Sequence, residues 1–364
     1  MRVDDFDFQL PEELIALRPA RPRDSARLLV VRGPDGDLED RLVSDLPELL
    51  RAGDILVAND TRVMPAALLG ARRARGPGGP AVHFKVNLHR RLGARVWAAF
   101  VRPGKRLKLE DRIYFRAADE PVFSARVIGK GLDGEVHLAF DDGARDLAAA
   151  LDRAGDAPLP PYISGRRPAD ADDRADYQTV FASGEAASVA APTAGLHFTF
   201  DLLVRLRNCD VTIDYVRLDV GGGTFLPVKA DLLVDHYMHP ERCVVSAATA
   251  TAVNMARNAG GRCIPVGTTA LRALETAAGA DRQNLAAEPV SATDRETSIF
   301  IWPGYRFRAS DGLMTNFHLP RSTLFMLVSA MMGLETMQRA YAHAISAKYR
   351  FYSYGDACLL LPHG

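Results

Sequence analysis

The sequence predicts an α/β protein: a mixed, largely parallel sheet into which a small six-stranded β-barrel is inserted. Two observations carry this expectation. Between residues 66 and 140, short runs rich in Val, Phe, Tyr and Leu are broken by Gly and Pro clusters. After Ser188, strand-like apolar runs alternate with helical ones. The first pattern lies inside a chain of different character. The α/β part is therefore expected over residues 1–64 and 151–364, and the barrel over residues 65–150.

The barrel runs include Ala81-Val82-His83-Phe84-Lys85-Val86, Arg95-Val96-Trp97, Arg112-Ile113-Tyr114-Phe115 and Glu135-Val136-His137-Leu138. Gly76-Pro77-Gly78-Gly79-Pro80, Pro103-Gly104, Gly131 and Gly134 separate them, as turns separate the strands of a closed sheet. In the α/β part, residues 211–220 read as a strand. Residues 247–258 read as a helix stopped at Gly260-Gly261, where a left-handed residue ends the turn. Residues 263–266 form a buried strand that leads through Gly267-Thr268-Thr269 into a helix reaching Glu275. Residues 298–302 read as a further strand, and Ser322 or Thr323 as the cap of a helix starting at Leu324. The acidic stretch 170–176 reads as a solvated loop.

With 364 residues, 48% of them hydrophobic, the chain can bury a sizeable core. Its four cysteines, Cys209, Cys243, Cys263 and Cys358, have neither zinc-site spacing nor the density of a disulfide framework. A reducing, cytoplasmic setting is expected, with no metal. The opening Met1-Arg2-Val3-Asp4-Asp5 lacks the basic-then-apolar order of a secretion signal. The apolar stretch 324–332 is interrupted by Ser329 and falls short of the roughly 20 residues a bilayer span needs. No membrane partner is expected, and the protein is expected to act as a monomer.

Lys and Arg (45) balance Asp and Glu (45), but the balance is uneven along the chain. Residues 62–112 hold thirteen Lys or Arg against two acids, Glu110 and Asp111. Any single arginine there fits an ordinary solvated surface; the whole segment fits a phosphate backbone. Arg62, Arg72, Arg73 and Arg75 are its candidate RNA contacts.

No P-loop and no Gly-x-Gly-x-x-Gly fingerprint occurs. The run Gly221-Gly222-Gly223-Thr224 permits close approach of backbone to a ligand, although such runs are as often plain turns. Other segments concentrate polar and imidazole side chains among loop-forming residues. They are Asn59-Asp60-Thr61-Arg62, residues 190–198 with Pro192-Thr193-Ala194-Gly195-Leu196-His197, and Asp235-His236-Tyr237-Met238-His239-Pro240-Glu241. Gly267-Thr268-Thr269-Ala270-Leu271-Arg272 and Thr315-Asn316-Phe317-His318-Leu319-Pro320 complete the set.

These segments resemble the signature blocks of the S-adenosylmethionine:tRNA ribosyltransferase-isomerase family of queuosine biosynthesis. Leu159-Pro160-Pro161-Tyr162-Ile163, Tyr177-Gln178-Thr179-Val180, residues 221–228, Lys348-Tyr349-Arg350-Phe351 and Ser353-Tyr354-Gly355-Asp356 accompany them in the family's order, nearly end to end. The resemblance implies an α/β domain carrying a barrel. It also implies a reaction: the ribosyl moiety of S-adenosylmethionine, a co-substrate, moves onto 7-aminomethyl-7-deazaguanine at the tRNA wobble position and is isomerised. Epoxyqueuosine forms, and adenine and methionine leave. The chain departs from the family pattern at Asp219, where histidine is usual, and at Pro240, where serine is usual.

That chemistry needs a base beside a sulfonium, and imidazoles titrate near neutral pH. His197, His239 and His318 are the candidates, although any one taken alone reads more readily as a histidine bracing its own loop; Glu241 and Asp235 are candidate carboxylates. Thr193, Gly195, Gly221, Gly223, Thr224, Phe225, Thr268, Thr269 and Arg272 are the candidate contacts to S-adenosylmethionine. Thr268 and Thr269 would lend free helix-start amides to an anion, or simply cap the helix. Arg272 and Glu275 lie three apart and are placed to pair with each other. Phe198, Phe225, Phe317 and Tyr354 are candidate stacking groups, with core packing the alternative; Arg350 and Tyr354 join the RNA candidates. Two other readings compete. A methyltransferase would use the same co-substrate but should carry a glycine-rich loop after its first strand, and a noncatalytic RNA-binding protein would leave the loop histidines idle.

Overall fold

The computed structural model describes residues 1–33, 35–76, 80–117, 120–131, 134–141, 146–184, 186–221, 228, 230–279 and 289–363. In chain order the first strands are β1 (Arg27–Arg32), β2 (Asp37–Leu42), β3 (Ile55–Asn59) and the two-residue β4 (Arg62–Val63). Six strands follow: β5 (Ala67–Arg72), β6 (Val82–Arg91), β7 (Val96–Arg102), β8 (Arg112–Ala117), β9 (Glu120–Lys130) and β10 (Glu135–Phe140). After the short β11 (Gly155–Asp156) and β12 (Ala186–Ser188) come β13 (Thr212–Leu218), β14 (Glu241–Val245) and β15 (Cys263–Val266). The last are β16 (Thr293–Thr297), β17 (Leu313–Asn316) and β18 (Ala357–Leu361). The helices are α1 (Leu46–Leu49), α2 (Leu147–Ala154), α3 (Pro161–Ser164), α4 (Asp173–Asp176), α5 (Phe200–Asn208), α6 (Ala247–Asn258), α7 (Thr268–Ala277), α8 (Thr323–Met332) and α9 (Leu334–Ser346).

Nine strands form one mixed sheet in the order β16-β14-β13-β3-β15-β17-β18-β1-β2. Its centre, β13-β3-β15-β17, is parallel, as is the β18–β1 pair; the remaining neighbours are antiparallel. Both faces are covered. Leu56 and Ala58 of β3 pack with Leu202 and Leu206 of α5, while Ile55 and Val57 pack with Val253 of α6 and Leu274 of α7. Strands buried on both sides read as unbroken apolar runs, which is why β1 and β3 show no alternation. Under α8 and α9 a further cluster gathers Leu29, Val31, Phe325, Tyr341 and Phe351. Ser322 caps α8 by accepting the Phe325 N–H (3.2 Å).

Strands β5 to β10 close into an antiparallel barrel when β5 pairs with β8 through Gly70↔Phe115 and Ala71↔Tyr114. In β6, Val82, Phe84, Val86 and Leu88 face the barrel core while His83, Lys85 and Asn87 face out. A Cβ on Gly70 would lie 2.5 Å from Ile113 Cγ2, so the closing seam excludes a side chain there. Ala150 and Leu151 of α2 cover the same core.

Two expectations fail. The edge strand is β16, and residues 298–302 are irregular. An edge strand needs ladder bonds, which polar Thr293 to Thr297 form with β14; Ile299, Phe300 and Trp302 instead pack against the cluster under α8 and α9. The stretch 170–176 is not a solvated loop either. Asp173 is fully buried and holds Arg167 through both carboxylate oxygens (2.6 and 2.7 Å), with Arg18 at 3.2 Å. Asp176, also buried, takes Arg21. Arg167 stands just before the stretch, whereas Arg18 and Arg21 come from a segment that only folding brings near.

Candidate active site at the carboxyl edge of the sheet

The parallel strands β13, β3, β15 and β17 end at one edge of the sheet, and antiparallel β14 and β18 begin there. Ligands of open α/β sheets sit beyond this edge. Leaving β3 are Asn59 to Arg62, leaving β13 are Asp219 to Gly221, leaving β15 are Gly267 to Thr269, and leaving β17 are Phe317 and His318. His239 and Glu241 enter β14, and Tyr352 to Asp356 enter β18. The turn Thr193–His197 packs at the same edge, with the Ala194 Cβ 3.4 Å from where a Cβ on Gly267 would lie. Folding therefore brings His197, Gly221, Glu241, Thr268 and His318 to one end of the sheet. Gly223, Thr224 and Phe225 lie outside the described residues.

Glu241 is buried and anchored from two elements. The Gly221 N–H donates to its Oε1 (3.0 Å), and Arg272 of α7 donates to its Oε2. Arg272 does not pair with Glu275, contrary to their spacing. The two side chains leave α7 in different directions: Glu275, fully buried, accepts from the Arg308 N–H (2.9 Å), the Ala309 N–H (3.1 Å) and the Tyr305 hydroxyl (2.9 Å). Burial raises the Glu275 carboxyl above its ordinary range. Arg272 Nε also donates to the Ile299 carbonyl (3.3 Å), while its Nη2 is buried with no hydrogen-bond partner.

Helix α7 starts at Gly267 with φ +93°, a conformation that favours glycine, and no side chain caps it. Neither Thr268 nor Thr269 takes the capping role, since the Thr269 hydroxyl accepts instead from Asn59 Nδ2 (3.2 Å). An uncapped helix start keeps free amides and partial positive charge. Asn59 itself is a brace. Its Nδ2 also reaches the Leu218 carbonyl (2.9 Å), and its Oδ1 accepts from the Leu218 and Thr61 amides (3.2 and 3.1 Å). Asp60 is held at both oxygens by Arg217 (3.0 and 2.9 Å). Asp219 is half-buried, and burial raises its carboxyl.

The three histidines separate. His197 and His318 are buried, and burial pushes each imidazole down to about 3. Asn316 Nδ2 donates to His197 Nε2 (3.2 Å) and to the Tyr352 carbonyl (3.1 Å), while its Oδ1 accepts from the Thr193 hydroxyl (3.2 Å). These partners fix the amide orientation, so the lone pair of His197 Nε2 is occupied. His318 Nε2 meets the Thr315 hydroxyl at 2.9 Å, and its backbone N–H donates to the Tyr341 hydroxyl (2.9 Å). His239, by contrast, is exposed beside Tyr237, ring centroids 5.5 Å apart.

Several candidates are placed as packing. Gly195 is buried where a Cβ would meet Thr179 Cγ2 at 3.0 Å and the Phe181 ring at 3.2 Å. Phe198, Phe317 and Tyr354 lie in cores, Tyr354 edge-on to Tyr177. Arg350 is tied to Asp356 (3.1 Å). On the barrel, Arg72 is buried against Asp111 and Arg75 is bonded to the same carboxylate, whereas Arg73 lies exposed over the Tyr114 ring and Arg62 is exposed. Two residues escaped the sequence reading: Asn316, the hub just described, and Tyr237, an aromatic 70% exposed at this edge. Loop position and a neighbouring histidine were its only signals.

No described helix is long and apolar enough to cross a membrane. The family model described as queuosine biosynthesis protein matches residues 3–360. The chain is 58% identical to S-adenosylmethionine:tRNA ribosyltransferase-isomerase of Caulobacter sp. (strain K31), over 99% of this chain and 96% of that protein. It is 57% identical to the protein of that name from Maricaulis maris (strain MCS10), over 99% of each. The crystal structure of S-adenosylmethionine tRNA ribosyltransferase from Thermotoga maritima is similar at 31% identity, with a TM-score of 0.52 over 98% of this chain and 100% of that one. Joined end to end by sequence and by fold to these proteins, the chain belongs to the queuosine biosynthesis protein family.

Proposed function

We propose that this chain transfers the ribosyl moiety of S-adenosylmethionine to the aminomethyl group of 7-aminomethyl-7-deazaguanine in tRNA and isomerises it, giving epoxyqueuosine with loss of adenine and methionine. The observation that carries this reading is the gathering of the family's signature segments at the carboxyl edge of one sheet. Glu241, oriented by Arg272 and the Gly221 amide, is the carboxylate that meets the sulfonium. The uncapped start of α7 at Thr268 and Thr269 takes the methionine carboxylate, a natural ligand for free amides.

Among the imidazoles, His239 is the proton acceptor. A base must offer an unoccupied lone pair, and His197 shares its own with Asn316. The sulfonium acidifies the neighbouring C–H bond, so a modest base suffices. His197 and His318 are positioning residues that set the loops after Pro192 and β17. Tyr237 offers a stacking face to an unstacked anticodon base, and Arg62 and Arg73 offer charge to its backbone.

The test is mass spectrometry of tRNA carrying the aminomethyl precursor after incubation with the protein and S-adenosylmethionine. Free adenine with an epoxyqueuosine nucleoside is expected. A gain of one methyl group would instead establish a methyltransferase, and tight binding of an unchanged tRNA a noncatalytic module.

A further inference from the structure

The barrel meets the sheet at a cluster of titratable groups that the roles above leave unused. Along β6 the alternation of inward and outward residues breaks at His89: Leu88 and His89 are both buried, and pairing with β7 shifts register between Leu88 and Arg90. A bulge of this kind re-aims a side chain. Leu88 joins the barrel core, whereas His89 stacks on Phe100 outside that core, with ring centroids 4.5 Å apart and planes 16° apart. Glu135 of β10 brings its Oε1 to 2.8 Å from His89 Nε2, with Arg90 at 3.6 Å and His137 at 3.4 Å from the carboxylate.

This cluster abuts Gly221. The His89 carbonyl lies 3.6 Å, and Glu241 Oε1 3.9 Å, from where a Cβ on Gly221 would sit. His239 is near enough to disfavour protonation of His89. His89 Nε2 and Glu135 Oε1 form a close pair at 2.8 Å, and the imidazole is buried, 9% exposed. A carboxylate has about four lone-pair sites, so Glu135 keeps room for a further donor from outside beside the imidazole that orients it.

We propose that His89 and Glu135 bind the exocyclic aminomethyl group of the modified base and position it for attack, so that the barrel supplies one wall of the active site. A primary ammonium donates to the Glu135 carboxylate, which His89 orients and which accepts the proton the amine must lose before it attacks; guanine presents no N–H at the same position. This rests on the reading that an aminomethylated nucleotide comes to this edge of the sheet. Burial, which pulls the His89 imidazole down to about 4, keeps the ring uncharged at neutral pH, so the carboxylate carries the charge that meets the ammonium.

The experiment compares binding, without S-adenosylmethionine, of two anticodon stem-loops that differ only in carrying 7-aminomethyl-7-deazaguanine or guanine at the wobble position. The full-length protein is expected to prefer the first by about tenfold, the worth of one charge-assisted bond. Glu135→Gln and His89→Ala should bring the preference within about twofold while affinity for the guanine loop is unchanged. With S-adenosylmethionine present, both should raise KM for tRNA more than they lower kcat. Should His89→Ala fail to fold, the near-isosteric Glu135→Gln carries the test alone. Absence of preference in the unmodified protein, or preference retained in Glu135→Gln, overturns the inference. Failure of the unmodified protein to release adenine from S-adenosylmethionine in the presence of the modified tRNA would instead overturn the reading of the reaction.

Discussion

The two ends of the central sheet are built from similar residues and do different things. At the end opposite the signature segments, a surface cavity of about 500 Å³ is lined by Arg51, Arg257, Arg262 and Asp311, among others. Its charges brace the fold: Arg262 is bonded to buried Asp54 (2.7 Å), and Arg257 to both oxygens of Asp311 (2.9 and 3.0 Å). These pairs tie the strand starts of β3 and β15 to the loop before β17, since the Ile55 amide meets the Arg262 carbonyl and the Cys263 amide meets Asp311. At the carboxyl edge, by contrast, buried Glu241 is held by Arg272, whose Nη2 has no hydrogen-bond partner among the described residues. Side chains from many loops converge at that edge.

The sharpest way to break this contrast is Glu241→Gln. Removing one partner of a buried pair costs about 3–5 kcal/mol of stability, and adenine release should fall below detection. The double replacement Glu241→Gln with Arg272→Met should recover much of the melting temperature and none of the turnover. Recovery of turnover would make the pair a brace like those at the other end.

Acid sensitivity comes next. His197 and His318 have folded-state values near 3 against an ordinary 6.5, so below about pH 6.5 the unfolded chain binds protons that the folded chain refuses. Stability present above pH 6.5 should be lost progressively towards pH 3, by at most about 1.4 kcal/mol per pH unit for each ring. Urea unfolding at pH 7 and pH 5 should show this loss, and His197→Asn and His318→Asn should each reduce it.

Tyr237→Ala should raise KM for tRNA about tenfold, as loss of one stacked base does, with the melting temperature unchanged. Arg73→Glu should lower the slope of log affinity against log salt by about one, whereas Arg75→Glu, already tied to Asp111, should act mainly on barrel stability. The smallest effect is expected at the opposite end: Arg257→Met should leave kcat/KM within about twofold while lowering the melting temperature.

Element types were legible because periodicity reports which faces are apolar. The helix Ala247–Asn258, the strand Cys263–Val266, the cap at Ser322 and the six barrel strands follow from spacing and turn residues alone. The site was legible as a set of segments but not as a geometry. Spacing placed Arg272 beside Glu275, and register across β13 and β14 gave it Glu241 instead. Tyr354 carries the chemistry of a stacking group, yet it lies in a core with Tyr177.

From its residues alone, this chain specified an α/β sheet, an inserted barrel and the family to which its loop segments belong, because propensity and patterning act over a few neighbouring positions. Tertiary structure decided which charges pair, that Tyr237 is exposed at the sheet edge, and that the bulge at His89 buries a barrel imidazole against Phe100 and Glu135 beside Gly221. Those outcomes depend on strand register and on partners distant in the chain, and no local signal encodes either.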